Sequence, residues 1–181
     1  MRRFVIALFV LAIGLFPSGT SHASSWKTYH NTALGFSVSY PGDWQPFRAA
    51  GTNIAVETAD SGAVFDGLAS PDPTSPTDSD LHNVVESILA SAGVPSASKI
   101  TYKTQVVHGV TFVVGSGTDA RANGQKVTFS AYVTYTNKTA YAFVTGLVVS
   151  TDGVARVQAL GQRKALDTIV ASIRIAKPSK P

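Results

Sequence analysis

The chain reads as an α+β protein, a mostly antiparallel sheet flanked by helices. Three observations predict this. Period-2 alternation runs through both halves of the chain; one segment between them has a clear 3.6-residue apolar stripe; a second such stripe closes the sequence. The order is strands, helix, strand meander, helix, which suits helices laid on an antiparallel sheet. There is no βαβ alternation, no glycine-rich phosphate loop and no internal repeat.

The first strand signal is Phe36, Val38 and Tyr40 alternating with Ser37 and Ser39. Tyr40-Pro41-Gly42-Asp43 then predicts a type II turn, with Pro fixing φ and Gly accepting a positive φ. Trp44 returns toward the core. Residues 53–58 and 63–69 predict a hairpin around Asp60-Ser61-Gly62. Residues 70–80 carry Pro71, Pro73 and Pro76 among Ser, Thr and Asp. Missing donors and restricted preceding residues make this stretch a loop.

Leu81, Val84, Val85, Ile88, Leu89 and Ala92 form one helical stripe. Thr77, Asp78 or Ser79 caps its start, and Gly93 with Pro95 behind it ends it. From Lys99 to Val149 the pattern predicts a four-strand meander. His108-Gly109, Asn123-Gly124 and Thr136-Asn137-Lys138-Thr139 are its turns. The run from Val110 to Gly115 predicts burial on both faces. Val127, Phe129, Ala131, Val133 and Tyr135 mark the inward side of the next strand, with Tyr132 on its polar side. Ala165, Leu166, Ile169, Val170 and Ile173 give the closing helix. Its segment opens at Asp152-Gly153, and Gly161 predicts early turns that are irregular or pack closely on the sheet.

The amino terminus has the layout of a secretory signal. Met1-Arg2-Arg3 is a positive region and Phe4 to Phe16 an uncharged apolar run. Ser21-His22-Ala23 then sets small residues before a cleavage point between Ala23 and Ser24. A spanning helix needs about 20 apolar residues, so this run predicts a cleaved segment, residues 1–23, with no stable membrane anchor left behind. With no Cys in the chain, lipoprotein acylation, disulfides, thiolate catalysis and Cys-ligated metals are closed. Residues 24–181 are read as a single domain, with a core at about 26–175 and a frayed basic, proline-bearing tail over 176–181. Without Arg2 and Arg3, the 15 Lys+Arg fall to 13 against 11 Asp+Glu, a net charge of +2. No block of like charge occurs, so nucleic-acid binding is not expected.

Residues 35–44, Gly-Phe-Ser-Val-Ser-Tyr-Pro-Gly-Asp-Trp, resemble the "GF-x-x-x-x-P-x-x-W" opening of PsbP-like domains. Residues 166–174, Leu-Asp-Thr-Ile-Val-Ala-Ser-Ile-Arg, resemble the family's closing "I-x-x-S-F-x" helix, with Ile173 in place of the usual aromatic. The resemblance spans about Trp26 to Ile175. It implies a three-layer α/β/α arrangement and a non-enzymatic accessory role, and no family metal or docking residue carries over.

His82 and Glu86 share a helix face and are the candidate metal ligands, with Asp78 or Asp80 as a third; a solvated i,i+4 pair is the plainer reading. Tyr132 is the candidate exposed binding aromatic. The other aromatics read as core. A hydrolase would need His30, His82 or His108 beside a Ser or carboxylate, and no G-x-S-x-G elbow occurs. Asn137-Lys138-Thr139 fits a glycosylation acceptor in a eukaryotic secretory host. The sequence therefore predicts an exported, periplasmic or extracellular, non-catalytic domain without a cofactor. Its partner is another envelope or extracellular protein. The alternative is a small-ligand-binding envelope protein with a pocket between sheet and helix.

Overall fold

The computed structural model describes residues 25–47, 51–72, 74–94, 99–120, 125–149 and 153–176. The signal segment with its Ala23–Ser24 cleavage point, Pro73, Pro95, the Asn123-Gly124 turn, Asp152 and the tail from Lys177 lie outside these residues. In chain order the strands are β1 Trp26–Asn31, β2 Phe36–Pro41, β3 Gln45–Pro46, β4 Ile54–Glu57, β5 Ala63–Pro71, β6 Thr101–Val107, β7 Val110–Ala120, β8 Lys126–Thr136, β9 Thr139–Val149 and β10 Arg174–Ile175. Helix α1, Asp78–Ser91, lies between β5 and β6, and α2, Gly153–Ser172, between β9 and β10.

Seven strands make one sheet in the order β3-β4-β5-β9-β8-β7-β6, and β1-β2-β10 make a second. Among the described residues every pairing is antiparallel. The α+β class and the meander are as the sequence predicts. Asn137 and Lys138 take φ of 55° and 57°, the geometry of a two-residue primed turn, and the β8–β9 register runs unbroken from Thr136↔Thr139 to Lys126↔Val149.

α1 covers one face of the large sheet. Its start is a capping box: Thr77 accepts from the Asp80 N–H, and the Asp80 side chain accepts from the Thr77 N–H. Gly93 ends it at φ 97°. Val85, Ile88 and Leu89 are buried, and Gly115 lets the helix approach. A Cβ at Gly115 would stand 2.2 Å from Val85 Cγ1. The opposite face carries α2 and the small sheet, which places the sheet between two layers as the resemblance implies. Phe143 is fully buried there, with the rings of Phe36, Phe65 and Phe112 at 5.6, 6.1 and 6.2 Å.

Several local expectations change. The Pro41 turn starts one residue later than predicted, because Pro41 is still in β2 and the Trp44 N–H bonds to the Pro41 carbonyl. Gly42 does not take a positive φ. Its place is set by contact, since a Cβ there would lie 2.4 Å from the Ser25 carbonyl oxygen. Pro71 ends a strand instead of sitting in a loop. β4 stops pairing at Gly67, so Pro71 meets β9 alone and its missing donor costs no second ladder. The closing helix stops at Ser172, and Arg174–Ile175 pair with β2. The early turns of α2 are regular, and a Cβ at Gly161 would meet nothing within 4 Å, so neither irregularity nor close packing explains that glycine.

Candidate functional site

The candidate metal ligands His82 and Glu86 lie beside a tyrosine and are engaged otherwise. His82 Nδ1–H donates to the Asp78 carbonyl at 2.8 Å, and its ring meets the Tyr102 ring edge-on at 4.8 Å. Tyr102 donates its hydroxyl proton to Glu86 Oε1 at 2.9 Å. Burial, then the Glu86 hydrogen bond and charge, push the Tyr102 hydroxyl up to about 12. The trio clamps α1 to β6. Among the described residues no group of three His, Asp or Glu stands ready to hold an ion.

The histidines that a hydrolase would need are dispersed. His30 lies on β1 and His82 on α1. His108 bonds through Nε2–H to the Ala171 carbonyl at 2.7 Å, fastening the β6–β7 turn to the end of α2.

Tyr132 is not the exposed aromatic its polar-side position predicts. It is 9% exposed, because that side of β8 packs beneath α2 as part of the aromatic core. The strand is buried on both faces from Ala131 to Thr134, so alternation of polarity did not report exposure.

The surface that the sequence reading missed is the amino-terminal half of α2. At about 100° per residue, Leu166, Ile169 and Val170 define the sheet-facing side. Val154, Val157 and Leu160 fall opposite and are 81%, 71% and 59% exposed. The available signal was this second apolar series, out of phase with the core stripe. Helix 153–172 has no acidic residue before Asp167, whereas Lys164 lies on the outward face and Arg156 beside Leu160.

This half is fixed in place by the β4–β5 turn. Asp60 Oδ1 accepts from the Thr58 hydroxyl at 2.5 Å and the Gly62 N–H at 3.0 Å. Its carboxylate also accepts from Gln162 Nε2 at 3.0 Å and from Gln158 Nε2. Asp60→Ala is expected to raise amide hydrogen exchange about tenfold over residues 154–162 while leaving 166–172 unchanged. Uniform exchange along α2 in the variant would show that Asp60 does not hold it.

A second feature lies on the α1 side of the sheet. Asp66 in β5 sits in register between Ala55 and Val144. Its Oδ1 is buried with no hydrogen-bond partner. Burial raises its pKa from 3.8 to about 7, opposed by the Gly67 backbone.

No family model matches the chain, and no curated protein matches it. Solved structures do. Cyanobacterial PsbP (CyanoP) from Synechocystis sp. PCC 6803 superposes with a TM-score of 0.56 at 15% identity, over 89% of this chain and 98% of that one. The Saccharomyces cerevisiae Ran-binding protein Mog1p gives 0.54 at 9% identity, over 84% and 96%. A Bacteroides thetaiotaomicron protein gives 0.54 at 14% identity over 85% of this chain, which spans only 50% of its length. These likenesses show that the fold is the PsbP-like one.

Proposed function

We propose that this chain is an exported, non-catalytic domain formed by residues 24–181, which docks a protein partner through the outward face of the amino-terminal half of α2. The observation that carries the reading is the exposure of Val154, Val157 and Leu160 on a helix already anchored to its own sheet. Three aliphatic side chains in successive turns, turned away from the core and rimmed by cations, are the composition of a contact patch. A shared fold does not transfer a function. Mog1p, a Ran-binding protein, does give one case in which this fold serves protein binding. Export rests on the signal-type amino terminus. Among the described residues no helix is long and apolar enough to cross a membrane.

The test replaces Leu160 with a photo-crosslinking amino acid and irradiates the native envelope fraction. One adduct of discrete mass is expected, lost on adding Val157→Asp, with the circular dichroism spectrum unchanged because position 157 is exposed. Absence of an adduct, or an adduct indifferent to Val157→Asp, would remove the reading.

A further inference from the structure

The aromatic rings of Phe36, Phe65, Phe112 and Phe143 occupy the space beneath α2, so a ligand lodged between helix and sheet belongs at the helix flank. The two flanks differ. One carries Gln158 and Gln162 toward Asp60. The other carries Arg163 and Asp167, four residues apart on the same side of the helix, and their charges act on Tyr132 of β8. Beyond Tyr132 the same sheet face turns from apolar to hydroxylic. Ser130 follows two residues back along β8, in register with Ser116 of β7, and Thr128 is in register with Thr118. Ser116 and Ser130 share a hydrogen bond of 2.7 Å, and Thr118 and Thr128 approach to 3.4 Å.

We propose that this ledge, between the Arg163–Asp167 flank of α2 and the hydroxyl rows of β7 and β8, binds a small polyhydroxylated anion: a sugar carboxylate or sugar phosphate. Tyr132 supplies an observation independent of the Ser and Thr rows. Its ring is buried, yet its hydroxyl makes no hydrogen bond among the described residues. It is also absent from the buried unpartnered atoms, of which Asp66 Oδ1 is the sole case among those residues, so the hydroxyl tip reaches solvent. Burial and the Asp167 carboxylate hold it protonated, with Arg163 opposing, so it is a donor at neutral pH.

Arg163 has no hydrogen bond or ion pair among the described residues and offers the planar fork that fits a carboxylate or phosphate. Each serine hydroxyl keeps acceptor capacity after the Ser116–Ser130 bond, and one donor remains to the pair, which matches a sugar's mixed donors and acceptors. Asp167 accepts from sugar hydroxyls. Ligand occupancy here is independent of the outward face formed by Val154, Val157 and Leu160.

The probes are glucuronate, glucose 6-phosphate, glucose and inorganic phosphate, titrated into the isotope-labelled mature chain by NMR to about 20 mM, a range that reports millimolar affinity. Saturable shifts at Ser116, Ser130, Tyr132 and Arg163 are expected with glucuronate or glucose 6-phosphate, and the tighter of the two identifies the anion. Glucose should bind about tenfold more weakly, and inorganic phosphate should leave Ser116 and Ser130 unmoved. Tyr132→Phe keeps the buried ring and removes only the hydroxyl. It and Arg163→Gln should each weaken binding about tenfold, the scale of one lost hydrogen bond to a charged or well-placed group. The proposal is overturned if neither sugar anion gives saturable shifts, if glucose or phosphate alone matches them, or if both variants bind unchanged.

Discussion

Replacing Phe143 with alanine will lower the free energy of unfolding by about 3–5 kcal/mol, the usual scale for emptying a large aromatic site in a core. Phe143 sits in β9, near the middle of the seven-stranded sheet, and is fully buried. Its ring meets Phe65 of the neighbouring strand, Phe112 of β7 and Phe36 of the small sheet. The cavity cannot collapse easily, because strand spacing is fixed by the backbone ladders on both sides. Gly67, directly opposite in register, brings no side chain to fill it. Phe143→Leu should cost less than half as much, because it removes less volume. Val106→Ala, at an exposed position, should stay within about 0.5 kcal/mol. Urea titrations with unchanged slope and lowered midpoint are the readout. A loss near 1 kcal/mol for Phe143→Ala would mean that the aromatic cluster is not the centre of the core.

The second large effect depends on pH. Asp66 has a folded-state pKa of about 7 against 3.8 for the free side chain, with burial as the main cause. The native state therefore holds a proton that the unfolded state has already released between pH 4 and 7. Stability associated with Asp66 is fully present near pH 4 and is lost as the pH rises through 7. At about 1.4 kcal/mol per pKa unit, the loss by pH 8 is on the order of 4 kcal/mol at most. Asp66→Asn keeps the shape of the neutral acid. Relative to the parent, it should be nearly neutral in stability at pH 4 and more stable by about 2–4 kcal/mol at pH 8. The comparison is the difference between the two proteins' unfolding curves at the two pH values, which cancels titrations they share. Parallel pH profiles would mean that Asp66 is hydrated in the folded state.

The contrast between those two residues explains what the sequence revealed. Phe143 was legible because a strand pattern with turn residues at both ends already implies a buried side. The Asn137-Lys138 turn, the α1 stripe and the Gly93 stop were legible for the same reason, since each depends on neighbours in the chain. Asp66 was not. Its alternation with Phe65 and Gly67 is what a solvated strand face would also show, and the residues that flank it on that face, Ala55 of β4 and Val144 of β9, come from two other strands. Tyr132 failed in the same way, with α2 covering the face that its polar neighbours had suggested was open. The second sheet was missed because β10 is two residues long and its partner lies at the other end of the chain. The contact patch on α2 was present in the sequence as a second apolar series. It became interpretable once the core-facing side was fixed.

The small sheet also has a temporal consequence. β2 is complete only when β10 arrives at its edge, and Ser172 reaches back to the Ser39 backbone across 133 positions of sequence. Tyr141 likewise donates to the Leu34 carbonyl, and the Ala176 N–H to that of Gly35. Contacts this distant along the chain close late, since the loop entropy must be spent before they form. A chain threaded from either end stays unfinished until nearly all of it has emerged. Under the proposed export in extended form, that delay would keep the chain from folding before it has crossed.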